Sequence, residues 1–132
     1  MSVPTAFAAL GEESFVSLTT YRRSGVGVST PVWVVADGDD LLVITPEGSG
    51  KVKRLRHTSR VELRPCSRSG KVAPGTPVVT GRAVIEPDPG ATERTRALVK
   101  AKYGLEYRVV MIIERVAARR EQARVGVRIT PA

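Results

Sequence analysis

The sequence predicts a mainly β fold, a small antiparallel barrel of six strands with accessory helices packed at its ends. Three observations lead to this expectation. Six runs rich in β-branched residues are joined mostly by tight turns, only two helical patterns are of any length, and the sequence has neither two βαβ units nor a G-x-G-x-x-G motif. A chain of 132 residues fits one compact domain, so we expect a single domain over residues 1–132.

The first half of the chain contains a short amphipathic turn and three predicted strands. The turn spans residues 4–10, and the strands span residues 15–21, 26–36 and 41–45. Residues 22–25 and 37–40 carry the glycine and aspartate residues typical of tight turns. Pro31 interrupts the second strand, and because proline cannot donate to a ladder, we expect an edge strand or a bulge there.

The second half of the chain combines strands with the two longer helices. Strands are predicted at residues 61–64, 76–86 and 125–129, and helices at residues 91–103 and 106–120. Gly81 lies at the centre of the longest strand, where it predicts a β-bulge. The first helix is predicted to be capped near Thr92 and to end at Gly104. The second helix is predicted to be amphipathic, because it carries an apolar stripe at helical spacing, at Val109, Ile112, Ile113 and Val116.

Residues 45–70 are where the sequence predicts a binding site. They include a short helix predicted at residues 51–57, with Ser49 or Gly50 as its cap. The helix begins with a cluster of cations, Lys51, Lys53, Arg54 and Arg56. Cations are disfavoured there, because the unpaired N–H groups of the first turn form the positive end of the helix dipole. This violation of a local rule suggests that the cations bind an anion.

Helical spacing separates these cations by direction. Lys51 and Arg54 share one flank beside the buried face, Arg56 is a possible contact on the other flank, and Lys53 points to solvent. Backbone amides at a helix start, together with a lysine and an arginine, make a phosphate site. We therefore predict that Lys51 and Arg54 bind a phosphorylated ligand and that Lys53 is solvated.

The composition limits the classes of partner that the protein can bind but does not identify one. The formal net charge of +8 predicts an anionic partner, which could be nucleic acid, acidic lipid or a phosphorylated cofactor. Sparse aromatic residues, not interleaved with the cations, make nucleic acid a secondary hypothesis. No long apolar run and no signal-peptide pattern occur, so we expect no membrane span and a cytoplasmic location. One cysteine and one histidine form neither an internal disulfide nor a usual zinc motif, so we expect no structural metal.

Four segments, taken together, have a specific combination of motifs. They are V-G-V-S-T-P-V-W-V-V-A-D-G-D-D-L, T-P-E-G-S-G-K-V-K-R-L-R, V-E-L-R-P-C-S-R-S-G and K-Y-G. With them, the chain resembles the actinobacterial deazaflavin-dependent reductases of the pyridoxamine phosphate oxidase-like (PPOX-like) split-barrel superfamily, over residues 14–131. The resemblance implies an FMN-binding-like split β-barrel, a homodimer with two cofactor sites at the interface, and coenzyme F420 as cofactor. Some members bind flavin mononucleotide (FMN) instead.

The resemblance also implies roles for individual residues. Lys51 and Arg54 would hold the cofactor phosphate, assisted by Ser49 and Thr45. The tricyclic ring would lie along the interrupted strand, at Ser29, Thr30, Pro31, Val32 and Trp33. A P-C-x-R segment with Pro65, Cys66 and Arg68 would approach the site from the partner subunit, where Arg68 and Lys71 could meet the polyglutamate tail of F420. Ser67 and Ser69 depart from the family pattern in this tail-binding segment.

The implied function is an oxidoreductase that transfers a hydride between F420 and an unsaturated organic substrate such as an enone, a quinone or a tetrapyrrole. The cofactor supplies that chemistry, which agrees with the missing Ser-His-Asp, G-x-S-x-G and paired-carboxylate motifs. The first alternative is an FMN-binding oxidase-like protein of the same fold, and the second is a non-enzymatic cofactor carrier or nucleic-acid binder. The basic excess favours F420, because its polyglutamate tail adds carboxylates that FMN lacks.

Four residues have competing interpretations. We interpret His57 as an exposed residue at a helix end and Cys66 as a packing residue rather than a nucleophile, since no base accompanies it. Tyr103 is interpreted as a packing residue that also helps to form the pocket wall. Trp33 either stacks on the ring of the cofactor or belongs to the core, and the sequence does not distinguish the two.

Overall fold

A computed structural model of the chain describes residues 5–118 and 123–132. Within them, seven antiparallel strands form one sheet: β1 (Val16–Tyr21), β2 (Gly27–Val32), β3 (Val35–Asp37), β4 (Asp40–Pro46), β5 (Arg60–Pro65), β6 (Val79–Ile85) and β7 (Arg124–Pro131). The helices are α1 (Thr5–Ala9, followed by a 3-10 turn at Leu10–Glu12), α2 (Gly50–Leu55), α3 (Pro89–Tyr103) and α4 (Leu105–Ala118). The prediction of a mainly β fold with accessory helices is confirmed.

The predicted number of strands, six, is wrong by one because the second predicted strand breaks after Val32. Its two parts, β2 and β3, lie at opposite edges of a sheet with the order β2-β1-β5-β6-β7-β4-β3. Only Trp33 and Val34 connect them. Pro31 has no N–H to donate, and the N–H of Val34 bonds to the hydroxyl of Tyr103 instead of to a strand. The hydroxyl of Tyr103, on α3, thus takes the place of a neighbouring strand as the hydrogen-bond partner of Val34.

The short connection between the two edge strands requires the sheet to curl. In a flat sheet of seven strands, six spacings of about 4.8 Å would separate β2 from β3 by about 29 Å. The chain from Val32 to Val35 makes three Cα–Cα steps and reaches at most about 11 Å. The sheet therefore curls into a half-barrel that is split between its two edges.

The main core fills the inside of this half-barrel. It includes Val16 and Leu18 from β1, Val43 from β4 and Leu63 from β5, each with 1% or less of its surface exposed. At one end, α2 contributes Leu55 to the same core. Because side chains alternate along a strand, burial of both faces of β4 means that its outer face is covered as well.

Helices α3 and α4 cover that outer face, whereas the sequence predicted helices at the ends of the barrel. Leu42 and Ile44 of β4 pack with Val99 of α3 and Tyr107 of α4 in a second core. Helix α3 approaches β7 closely at Gly126, where a Cβ atom would lie 3.0 Å from Thr95 Oγ1.

Two local predictions in the second half are wrong. Gly81 forms no bulge, because it pairs in continuous register with Val61 and Pro131. A Cβ atom there would lie 3.0 Å from the carbonyl oxygen of Thr130, so close packing explains this glycine. Helix α3 begins earlier than predicted, and its N-cap is Asp88, whose Oδ1 accepts a 2.9 Å hydrogen bond from the N–H of Gly90. Its predicted end at Gly104 is confirmed, with φ of 53°.

Helix α4 presents to solvent the apolar stripe that predicted an amphipathic helix. Val109, Ile112 and Ile113 are 46%, 63% and 61% exposed, whereas Tyr107, on the other side of the helix, is 8% exposed. Packing against Trp33 selects the tyrosine side of the helix. The predicted Val116 and the helix end at residues 119–120 lie outside the described side chains and residues.

Ion pairs connect the β3–β4 hairpin to β7 and to helix α3. Arg128 of β7 donates to Asp37, Asp40 and Glu86 over 2.8–2.9 Å, and Arg94 of α3 binds Asp37 through two bonds of 2.7 Å. These hydrogen bonds to Arg94 and Arg128 hold the pKa of Asp37 well below its ordinary value. The hydrogen bonds from Arg128 to Asp40, Asp37 and Glu86 raise the pKa of its guanidinium group above its ordinary value.

The structure also bears on membranes and metals. Within the described residues, no helix is both long and apolar enough to cross a bilayer. Nor do three or more His, Cys, Asp or Glu side chains of residues 5–118 and 123–132 cluster where they could hold a metal ion. The predicted absence of a structural metal stays a prediction.

Candidate functional site

A cleft opens where the half-barrel is split, between the end of β2 and the end of β4. Its volume is about 200 Å³. Helix α4 forms one wall, and the starts of α2 and β7 complete it. Its lining consists of Pro31, Val32, Trp33, Ile44, Thr45, Pro46, Lys51, Val110, Met111 and Arg124. Five of the residues predicted from the sequence therefore meet in one place: Pro31, Val32, Trp33, Thr45 and Lys51.

Two cations give this mostly apolar cleft its electrostatic character. Burial lowers the pKa of Lys51, and the charge of Arg54 lowers it further. Burial likewise lowers the pKa of Arg124, with Arg96 as a nearby like charge. No carboxylate belongs to the described lining. Because desolvation and the like charge of Arg54 disfavour the ammonium group of Lys51, an anion bound beside it would be stabilised.

The local structure of α2 explains how Lys51 reaches the cleft. Ser49 caps the helix by accepting a 3.4 Å hydrogen bond from the N–H of Val52, and its hydroxyl lies 3.4 Å from that of Thr45. The cap connects the helix start to the buried end of β4. Val52, which is fully buried, anchors the helix, and the preceding residue, Lys51, faces the cleft.

Arg54 shares the flank of Lys51 but does not line the cleft. Its Nε donates a 2.6 Å hydrogen bond to Thr20 Oγ1, on β1. Its guanidinium group also lies over the helix start, where a Cβ atom on Gly50 would come within 2.7 Å of it. The structure therefore places Arg54 as a second cation behind Lys51, held on the barrel wall.

Trp33 forms an aromatic wall of the cleft. Its ring stacks on Tyr103 with centroids 4.6 Å apart and an interplanar angle of 17°, and it tilts against Tyr107 at 6.1 Å. Trp33 thus belongs to the second core and lines the cleft at the same time. The packing role expected for Tyr103 agrees with this stack.

The other predicted residues of β2 lie outside the cleft lining. Ser29 shares a 2.7 Å hydrogen bond with Thr19 on the neighbouring strand. The hydroxyl of Thr30 is buried, and within the described part of the chain it has no hydrogen-bond partner. Their predicted contact with a ring is not tested by this arrangement.

The loop after β5 borders the cleft without lining it. Gly70 packs against Pro31, where an added Cβ atom would lie 3.4 Å from Pro31 Cδ. Arg68 donates a 2.8 Å hydrogen bond to Glu106 at the start of α4 and lies over the ring of Phe15. Both contacts are within one chain. The predicted role of Arg68 at a second subunit stays a prediction.

Further residues of this loop have no part in the cleft of a single chain. Pro65 ends β5, Lys71 is exposed, and Cys66 is half-buried. Burial, and secondly the charge of Glu13, raises the pKa of the Cys66 thiol. A raised pKa disfavours the thiolate, which agrees with a packing role rather than a nucleophilic one.

Sequence reasoning missed Arg124 and the apolar wall formed by Val110 and Met111. Arg124 is a single cation at the start of a strand, and only the pairing of β7 with β4, which places it opposite Pro46, brings it to the cleft. His57 is exposed, as expected, and both of its ring nitrogens lie 3.3 Å from Arg23 Nε.

Comparison with protein-family models gives a match over residues 3–132, to the family described as pyridoxamine 5′-phosphate oxidase. No functionally curated protein matches the chain. Among solved structures, the heme storage protein HutZ from Vibrio cholerae is similar, with a TM-score of 0.66 and 14% identity, over 100% of this chain and 92% of that one.

Two further solved structures have similar folds. An F420 reductase gives a TM-score of 0.61 and 18% identity, over 98% of this chain and 96% of that one. An FAD-binding protein from Mesorhizobium loti gives 0.61 and 17%, over 96% and 84%. At these identities the likeness shows the fold alone.

Proposed function

The chain belongs to the pyridoxamine 5′-phosphate oxidase family, and on that basis we propose that it is an oxidoreductase that uses coenzyme F420. It would transfer a hydride between this cofactor and an unsaturated organic substrate such as an enone, a quinone or a tetrapyrrole. A solved F420 reductase with the same fold supports the choice of cofactor. The cytoplasmic location predicted from the sequence stays a prediction.

The observation that carries the proposal is the composition of the cleft. Lys51 and Arg124 supply two partly desolvated positive charges, and Trp33 supplies an aromatic wall beside them. A cofactor with a phosphate at one end and a planar ring at the other needs these two kinds of surface together. The residues present therefore fit a phosphorylated flavin or deazaflavin.

We assign the phosphate to the cationic end of the cleft. Lys51 would contact it directly, with the hydroxyls of Thr45 and Ser49 beside it and Arg54 as a further charge behind Lys51. The ring would lie along Pro31, Val32 and Trp33, as the resemblance implies. This assignment agrees with the lowered pKa of Lys51, because a bound phosphate would offset the desolvation of the ammonium group.

The size of the cleft supports a homodimer. Pockets for cofactors measure about 300–1,000 Å³, whereas the cleft of one chain measures about 200 Å³. A second subunit would have to supply the remaining walls. The exposed apolar stripe of α4, beside the cleft wall at Val110 and Met111, is a surface that a second copy could cover. We propose that the site is completed at a dimer interface.

When bound, the deazaflavin supplies the hydride chemistry itself. The chain then needs only to bind the cofactor, orient the substrate over the ring and exclude water. The apolar side chains of the cleft, Val32, Ile44, Val110 and Met111, serve to exclude water. A catalytic acid–base pair is not required for this role, which agrees with a described lining that holds no carboxylate, cysteine or histidine.

FMN remains the alternative cofactor, because the two cations of the cleft suit any phosphate ester. The net charge of +8 favours F420, whose polyglutamate tail brings further carboxylates to a basic surface. A storage function for heme has less support. His57, the one histidine of the chain, lies outside the cleft lining.

An equilibrium titration distinguishes the candidates. The protein is titrated separately with F420, FMN and a short DNA duplex, and binding is followed by cofactor fluorescence and by quenching of Trp33, the single tryptophan. We expect F420 to bind most tightly. Preferential binding of FMN, at micromolar or lower dissociation constants, would reject the proposal in favour of the flavin alternative. Tight, steeply salt-dependent binding of the duplex would support the nucleic-acid alternative.

A matched pair of variants tests the site. Lys51→Met removes the charge in the cleft, and Lys53→Met removes an exposed charge from the same helix. A hydrogen bond to a charged group contributes about 1.5–3 kcal/mol, so Lys51→Met should weaken F420 binding about 10- to 100-fold. Lys53→Met should leave it nearly unchanged. Equal losses in the two variants would mean that general charge, and not the cleft, holds the cofactor.

A further inference from the structure

The backbone at the break between β2 and β3 is held by side chains from the end of α3. The N–H of Val34 donates to the hydroxyl of Tyr103 over 3.0 Å. The carbonyl oxygen of Val34 accepts a 2.6 Å bond from Lys102 Nζ, and Tyr103 Oη lies 3.1 Å from the same oxygen. Both polar groups of this fully buried residue are thus satisfied outside the sheet.

Lys102 makes two further hydrogen bonds besides the one to the carbonyl oxygen of Val34. Its Nζ also donates to the carbonyl oxygens of Gly11, at 3.0 Å, and Glu13, at 2.7 Å. The hydroxyl of Tyr103 lies 2.9 Å from the carbonyl oxygen of Ser14. Two consecutive side chains therefore hold three separate segments together: residues 11–14, the break at Val34 and the end of α3.

Trp33 is the cleft residue that these contacts constrain. It directly precedes Val34, and its ring stacks on Tyr103 at 4.6 Å. Tyr103 consequently fixes both the backbone that follows Trp33 and one face of its indole. The indole also tilts against Tyr107 at 6.1 Å, and Trp33 lines the cleft.

We propose that Lys102 and Tyr103 are positioning residues that set the affinity of the cleft for a planar ring, by holding the Trp33 indole as its wall. This inference rests on the proposed function, since it takes the ring-binding end of the cleft as given. It assigns to two residues outside the cleft lining a part in ligand recognition.

The test separates the hydrogen bonds from the aromatic stack. Tyr103→Phe keeps a ring beneath Trp33 but removes the hydroxyl, and Lys102→Met keeps the stem but removes the ammonium group. Lys100→Met, an exposed lysine on the same helix, is the matched control. Each variant is measured without ligand by acrylamide quenching of Trp33 emission, and then by titration with F420 and with FMN.

We expect Tyr103→Phe and Lys102→Met to increase the quenching of Trp33 and to weaken ring binding about tenfold, since each loses hydrogen bonds at the break. Lys100→Met should behave as the unaltered chain. In a Trp33→Ala background, Tyr103→Phe should weaken ligand binding no further, because the positioned group is gone. A loss of affinity that persists in that background would show a general structural effect and overturn the inference.

The quenching measurement keeps this proposal distinct from the proposed function. If neither F420 nor FMN binds the unaltered chain, the proposed function fails, and the role in ligand affinity fails with it. If ligand binds and Trp33 emission is unchanged in both variants, the positioning role alone is refuted. Should Tyr103→Phe not fold, Lys102→Met gives the same comparison with the aromatic stack intact.

Discussion

Replacing Arg128 with methionine should destabilise the protein more than the loss of an exposed ion pair does. Arg128 is the common partner of Asp37, Asp40 and Glu86, which it contacts at 2.8–2.9 Å. Methionine keeps the length of the side chain but leaves three carboxylates together, with Arg94 as the remaining described counter-charge.

The magnitude follows from the exposure of the groups. Removing one partner of a fully buried ion pair costs about 3–5 kcal/mol, and an exposed pair is worth about 1 kcal/mol or less. The side chain of Arg128 is 32% exposed, and those of its partners 16–27%. We therefore expect a loss between these limits, about 2–3 kcal/mol, and a decrease in Tm of about 10 °C.

Chemical and thermal denaturation followed by circular dichroism measures this loss. Arg94→Met is the control, because Arg94 also binds Asp37 but is 56% exposed and leaves Arg128 in place. Its loss should destabilise the protein much less than the loss of Arg128, because solvent screens an exposed ion pair. Adding Asp37→Asn to Arg128→Met should restore part of the stability by removing one of the crowded charges. Equal losses in the two arginine variants, or no recovery by the double variant, would refute the reasoning.

Three further predictions concern acid stability, packing and assembly. The pKa of Asp37 is lower in the folded protein than in the unfolded chain. The ionised carboxylate therefore stabilises the fold fully above the unfolded-state pKa, near 4, and this stabilisation is lost as the pH falls below that value. Asp37→Asn should make the free energy of unfolding fall less steeply with decreasing pH in acid denaturation. Gly81→Ala should lower the free energy of unfolding by about 1–3 kcal/mol in urea denaturation, because its Cβ would lie 3.0 Å from the carbonyl oxygen of Thr130. Gly48→Ala should lower it less, because the added Cβ would lie in open space. Ile112→Glu should convert the proposed dimer to a monomer in light scattering without unfolding it, whereas Val26→Glu at a similarly exposed position should not.

The strands could be predicted because their signals are local. Runs of β-branched residues and the tight turns between them indicated where the chain extends, and each predicted strand has a counterpart in the sheet. The break at Trp33 and Val34 was not predictable, because residues 32–36 form an uninterrupted apolar run. What divides this run is a hydrogen bond that the N–H of Val34 donates to the hydroxyl of Tyr103, 69 positions further along the chain.

Helix α4 shows a different limit. Its apolar periodicity predicted an amphipathic helix, but periodicity does not tell which of two apolar sides packs within the chain. Tyr107 packs inward with its ring tilted against Trp33, and Ile112 faces outward. An apolar stripe that binds another molecule has the same sequence pattern as one that packs in the core.

The candidate site was predictable in part for the same reasons. Lys51 could be identified because a cation at a helix start breaks a local rule that is visible in the sequence. Arg124 breaks no such rule, and only the pairing of β7 with β4 brings it beside Lys51. Residues gathered by long-range pairing carry no local signal.

The position of β7 in the sheet bears on the order in which the protein is assembled during synthesis. β7 follows the other six strands along the chain, yet it pairs with β6 on one side and with β4 on the other. Without residues 124–131, this strand order leaves two groups that no strand connects, β2-β1-β5-β6 and β4-β3. In a nascent chain that ends before β7, the edge of β4, with five consecutive buried residues from Leu41 to Thr45, has no neighbour to cover it. The nascent chain should therefore be most prone to aggregate, and most dependent on chaperones, just before β7 emerges.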